Sequence, residues 1–134
     1  MQTLYSDSFF VVEFDEQTKL MRTFWSEDTA DIEHENTKEL INKFVELLDE
    51  YAPNFIISDD SQRKSVYSVD EQEWIANTIA AGVVHAKASK YAIVLPQDFI
   101  SSISTEQTID EVIDAPFELS YFEDEKSAKK WLLE

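Results

Sequence analysis

The sequence predicts one α/β domain over residues 1–134, built on a mixed β-sheet with helices packed mainly on one side. Three observations predict it. Two short, continuous apolar runs, Asn54–Asp60 (NFIISDD) and Tyr91–Pro96 (YAIVLP), read as strands buried on both faces. A helix-period stripe of Leu40, Ile41, Phe44, Leu47, Leu48 and Tyr51 leads straight into the first of them, which is half of a crossover unit. Two further β-rich runs near the start, separated by turn-forming DEQTK, read as a hairpin.

Taken in order, the elements are β-β-α-β-α-β-α-β-α. The hairpin is Phe9–Phe14 with Leu20–Trp25, and period-two geometry puts Phe10, Val12 and Phe14 on one face. The polar stretch Ser26–Asn36 leads into a helix over Thr37–Tyr51, with Ser26, Asp28, Thr29 and Asn36 all eligible as caps. Pro53 stops that helix and biases Ala52 away from helical geometry. The central strand then ends in two acids, Asp59 and Asp60. Ser61–Ser68 (SQRKSVYS) is expected as an exposed polar loop whose basic island, Arg63 and Lys64, is held by Asp59, Asp60 or Asp70.

A second helix is expected over Val69–Lys87, capped by Ser68 or Asp70, with Glu71 and Glu73 in a first turn that favours acids. Trp74, Ile75, Ile79, Val83 and Val84 form its apolar side. Gly82 inside it costs about 1 kcal/mol relative to alanine, and is expected either to allow close packing on the sheet or to end the helix. After YAIVLP come a turn at Gln97–Ser104 capped by Asp98 and a third helical segment, EQTIDEVIDA. Phe117–Glu123 alternates, which predicts a strand nearer the sheet edge. Asp124–Leu133 is a last amphipathic helix anchored by Ala128, Trp131 and Leu132.

Composition excludes several functions. The net charge is -17, from 28 acids and 11 bases spread along the whole length. Such a field repels phosphate backbones and anionic membranes; it reads first as a well-solvated surface on an intracellular protein, and the functional alternative is a basic partner protein or a cation. No apolar run approaches the roughly 18 residues of a membrane span. The opening MQTLYSDSFF has no basic region of a signal peptide. Without cysteine there is no disulfide, thiolate metal site or cysteine nucleophile, which suits a reducing cytoplasm. Gly82 is the single glycine, so no glycine-rich phosphate loop can be written.

Asp59 and Asp60 stand where open α/β sheets bind ligands, beyond the carboxyl end of a strand. With Asp98, and Lys64 or Lys90 beside them, they would be the residues of a Mg²⁺-dependent phosphoryl-transfer site. Consecutive strand residues point to opposite faces, however, so two adjacent acids are poorly placed to chelate one ion. The expectation is that one caps the next loop and the other is solvated. His34 and His85, the only histidines, lack metal-ligand spacing and are expected to be solvated or at helix ends. Most of the aromatic residues read as core. The alternative is that Tyr67, Trp74 and Phe99 line a groove for an apolar ligand or a partner.

Four features together carry a family resemblance. They are the hairpin ending in Phe24–Trp25, the strand IISDD followed by a short loop and the helix start DEQEW, the strand YAIVLP, and the closing YFEDEKSAKKWL. In these the chain resembles the STAS-like family, the fold of the sporulation anti-sigma-factor antagonists, and more narrowly the small bacterial STAS-like proteins grouped with CRAL-TRIO lipid-transfer domains. The resemblance implies a cytoplasmic, non-enzymatic binding or regulatory module with no cofactor or metal. It further implies a serine phosphorylated at the start of the helix after the central strand. Ser68 in YSVDEQEW is the nearest match, and it lacks the neighbouring serine and glycine of the family's turn. The expected recognition residues are Asp60, Ser61, Arg63, Lys64, Tyr67, Ser68 and Trp74, facing a protein partner. The alternative is a carrier holding an apolar or lipid-like molecule between helices and sheet. A homodimer through a sheet edge or helix face is compatible with either.

Overall fold

The computed structural model describes residues 1–95 and 116–134. Six strands form one mixed sheet in chain order: β1 (Gln2–Ser6), β2 (Phe10–Asp15), β3 (Leu20–Trp25), β4 (Phe55–Asp59), β5 (Lys90–Val94) and β6 (Glu118–Phe122). β1, β2 and β3 are an antiparallel meander, and β3 through β6 run parallel. The described helices are α1 (His34–Tyr51), α2 (Val69–Ala86) and α3 (Glu125–Leu132). The expected turn at Gln97–Ser104, the third helical segment, Asp98 and Phe99 lie outside the described residues.

Strand register sorts side chains onto two faces. The row Met21, Ile56, Tyr91 and Leu119 faces α1 and α2, together with Phe10, Val12 and Phe14 of β2. The row Arg22, Ile57, Ala92 and Ser120 faces the other way. There α3 seats Ala128 and Leu132, both fully buried, on Leu20, Ile57, Ala92 and Val94. Among the described residues the two long helices thus share one face, as expected, and the short α3 covers part of the other.

β1 is an addition to the expected order. It is an edge strand, largely exposed, with its register broken between Thr3 and Tyr5. It buries too little to impose a pattern on its sequence. Asp7 makes the turn into β2 by accepting from the amides of Phe9 and Phe10 at 2.8 and 2.9 Å.

The stripe of α1 is buried as its spacing predicts, but the helix starts earlier, and none of the expected caps serves it. Ser26 instead caps a short 3₁₀ helix, Glu27–Asp31, accepting from the amide of Asp28. Asn36 lies inside α1, whose N-cap Glu33 makes no side-chain cap bond. Ala52 ends α1 in the left-handed region, with φ 44° and ψ 61°, and Pro53 prevents continuation.

Gly82 neither ends α2 nor meets the sheet. A Cβ there would lie 3.1 Å from Cγ1 of Val45 and 3.3 Å from Cδ1 of Leu48, so its bare backbone lets α2 approach α1. Val84 is exposed, not part of the apolar side.

Candidate functional site: the loop after the central strand

β4 is the central strand of the parallel part, and its last residues deliver chemistry to opposite faces. Asp59 points to the α3 side, where it accepts from the amide and hydroxyl of Ser61 at 3.0 and 2.6 Å. It therefore caps the following turn, as expected of one acid. Arg22 reaches it at 3.5 Å. The same guanidinium holds both oxygens of Glu125 at 2.6 and 2.9 Å and Glu13 at 3.0 Å, so one cation ties β2, β3, β4 and α3 together. These contacts, Glu125 foremost, raise the Arg22 pKa. Burial, then the hydrogen bond with Glu125, raises that of Asp59.

Asp60 corrects the expectation that the second acid is solvated. It is buried on the α1/α2 side, accepts from the hydroxyl of Ser58 at 2.8 Å, and pairs with Nε of Arg63 at 3.7 Å. Burial pushes its carboxyl up, and Arg63 and Ser58 oppose that shift.

Arg63 is the larger correction. Within a loop expected to be exposed, it is 2% accessible and is the largest fully buried side chain among the described residues. Its Nη1 donates to the carbonyl and hydroxyl oxygens of Ser65 at 2.6 and 3.2 Å, and its guanidinium lies 5.1 Å from the ring centre of Tyr67. The hydroxyl of Ser65 donates to that of Tyr67 at 3.2 Å. Burial is also the leading cause that raises the Tyr67 phenol. The loop thus folds around its own arginine, because a charge taken out of water needs polar neighbours on every side. The amide of Lys64 donates to Oγ1 of Thr29 at 2.8 Å, fixing the loop to the 3₁₀ helix.

Beneath the loop, between the sheet and the α1/α2 pair, lies a cavity of about 50 Å³. One end is polar, formed by Thr23, Ser58, Asp60, Arg63, Tyr67 and Tyr91. The other is apolar, with Phe10, Trp25, Phe44, Ile75 and Ile93 among its walls. At roughly 10–15 Å³ per enclosed water, that volume is the size of a few waters.

The expected site residues therefore divide. Asp60, Arg63 and Tyr67 converge on the cavity, whereas Ser61 goes to Asp59 on the far face. Lys64 and Ser68 are exposed. Ser68 caps α2 in a reciprocal box: its hydroxyl accepts from the amide of Glu71 at 3.2 Å while Glu71 accepts from the Ser68 amide at 3.0 Å. Trp74 is half-buried between the helices, with Lys38 of α1 5.7 Å from its ring centre.

The histidines are exposed and at helix ends, as expected, and each also makes a contact between helices. Nδ1 of His34 lies 2.5 Å from Glu71, and Nε2 of His85 lies 2.8 Å from Asp49, so each joins α1 to α2. Sequence reasoning also passed over Arg22, although a charge in the middle of LMRTFW, in a sheet with helices on it, calls for an acidic partner. It also passed over Val66 and Val69, which are 59% and 75% exposed.

Among the described residues no group of three or more acids or histidines is arranged to hold a metal ion, and no helix is long and apolar enough to cross a membrane. No family model, curated protein or solved structure matches the chain.

Proposed function

We propose that this chain is a STAS-like binding or regulatory module that recognises a protein partner through the loop Ser61–Ser68 and the first turn of α2. The observation that carries the reading is the construction of the loop. Arg63 and Ser65 are buried and hold it from below, while Lys64, Val66, Ser68 and Val69 are held out to solvent. A surface fixed before its partner arrives loses less freedom on binding. The antiparallel start, the parallel strands and the α1/α2 layer are those of a general α/β fold, and the STAS-like part of the reading rests on the sequence resemblance. Ser68 remains the candidate phosphorylation position on this reading. Its hydroxyl is exposed at a helix N-terminus, where a phosphate would be favoured by the helix and opposed by Asp70 and Glu71.

The test is affinity capture with the intact chain against its charge-neutral Val66→Asn/Val69→Asn variant, in extracts of the source cells. A protein retained by the wild type and lost from the variant is the expected result. Identical captures, or none, would sink the reading.

Carriage of an apolar or lipid-like molecule is favoured by one observation, the apolar end of the cavity. An acyl chain needs far more than the volume of a few waters, so carriage requires α1 and α2 to move off the sheet. Native mass spectrometry of freshly purified protein decides it: a reproducible added mass supports carriage, and bare protein removes it.

A further inference from the structure

We infer that the surface around Val66 and Val69 receives a basic segment with apolar side chains from the partner protein. The inference rests on the recognition reading above and adds the chemistry of the partner.

Two observations carry it. The first is apolar. Val66 and Val69 are β-branched and well exposed, and each is fixed by a neighbour turned inward: Val66 by buried Ser65, Val69 by the Ser68–Glu71 capping box. Neither valine is used to hold the helix end. The positions that a hydrophobic staple would occupy belong to Tyr67 and Gln72, which are joined by a bond from Nε2 of Gln72 to the Tyr67 carbonyl at 3.2 Å. Two exposed aliphatic side chains three residues apart, with no part in the helix cap, are free to be covered by a partner.

The second observation is the charge around them. Three acidic segments adjoin the loop and the first turn of α2. The bond from Lys64 to Thr29 sets the 3₁₀ helix beside the loop, and the His34–Glu71 contact sets the start of α1 beside the start of α2. Exposed acids follow from all three: Asp28 and Asp31, Glu33 and Glu35, Asp70 and Glu73. Nearby exposed cations are few among the described residues. They include Lys64 and Lys38, and the second of these is drawn toward Trp74.

An apolar centre with a charged rim is the usual anatomy of a protein interface. The sign of this rim selects lysine and arginine on the incoming segment and rejects acidic partners and nucleic acid. A bare cation would leave the valines without a use, and no described group of acids is arranged to hold a metal.

The experiment selects short random peptides displayed on phage against the intact chain, with counter-selection on the Val66→Ser/Val69→Ser variant. Both substitutions are at exposed positions, so an unchanged melting curve verifies the fold. Selected peptides are expected to carry lysine or arginine beside apolar residues. They should bind the double variant about tenfold more weakly, a difference of one decade in Kd. Added salt and the Asp70→Asn/Glu73→Gln variant should each weaken them further. Valine-dependent peptides that are neutral or acidic and indifferent to salt overturn the inferred partner chemistry while leaving the recognition reading intact. An absence of valine-dependent peptides overturns this surface, and the capture experiment then judges the recognition reading independently.

Discussion

At the scale of single residues, the most consequential side chain is Arg63. Its guanidinium is out of water, and Asp60, Ser65 and Tyr67 surround it. Removing one member of a buried pair leaves the other charge uncompensated. Arg63→Met is therefore expected to cost about 3–5 kcal/mol near neutral pH, measured by urea unfolding. The loss should shrink in acid. The folded-state pKa of Asp60 lies above its ordinary value, so its contribution is fully present below that ordinary value and is lost as pH rises through the raised one. Without Arg63 the raised value climbs further, and a neutral Asp60 needs no cation. Unfolding free energies at pH 5 and pH 7 would show it; an equal loss at both would mean that Arg63 acts by packing, not by charge.

The basic island QRKS was visible in the sequence, and so was the opposed pointing of Asp59 and Asp60. That Arg63 turns inward was not. Lys64 beside it has a similar charge and the opposite fate, and only the cavity floor of Ser58, Asp60 and Tyr91 distinguishes them.

At the scale of elements, periodicity was informative wherever an element buries a face. The stripe of α1, the two continuous apolar strands, and the anchors Ala128 and Leu132 of α3 stand where the pattern puts them. It failed where burial is slight, at β1, and where ends are set by tertiary contact, at the start of α1. The end of α1 makes a prediction of its own. Ala52 occupies a left-handed conformation that crowds its Cβ, at a cost of roughly 1–2 kcal/mol relative to a residue without one. Ala52→Gly is expected to raise stability by about 1 kcal/mol, in contrast to glycine placed inside a helix, which lowers it. Thermal melts of the two proteins would show a higher midpoint for the variant; a lower one would mean that Ala52 makes contacts worth more than the strain.

α3 is the element most dependent on a single charge. Eight residues are too few for a stable isolated helix, so its packing and its anchors hold it in place. Arg22 grips Glu125 at its first turn, and Lys90 donates to the carbonyl of Trp131 at 2.9 Å near its end. Arg22→Met should speed hydrogen exchange in Ala128–Leu132 by about tenfold or more while leaving α1 unchanged, because one decade in exchange corresponds to roughly 1.4 kcal/mol of local opening. Unchanged exchange would assign the docking of α3 to its apolar face alone.

At the scale of the whole molecule, a net charge of -17 on 134 residues opposes compaction. Counter-cations screen that repulsion within about 8 Å at physiological ionic strength. Moving from low salt to a few tenths molar sodium chloride should therefore raise the melting midpoint by several degrees, for a gain of about 1 kcal/mol in a chain of this size. A falling midpoint would mean that the ion pairs of Arg22 and Arg63 outweigh the general repulsion.

The sequence by itself determined the α/β class, the central apolar strands, the acidic field and the exclusion of phosphate loops and cysteine chemistry. Each follows from composition or from a period repeated over many residues. Tertiary structure alone decided which face each acid of IISDD serves, that Arg63 is buried and that Gly82 meets α1. Those outcomes depend on which distant side chains arrive at the same place: Arg22 reaches Glu125 across more than a hundred residues, and Thr29 meets Lys64 across 35. Local pattern fixes what an element buries. Long-range packing fixes what it meets.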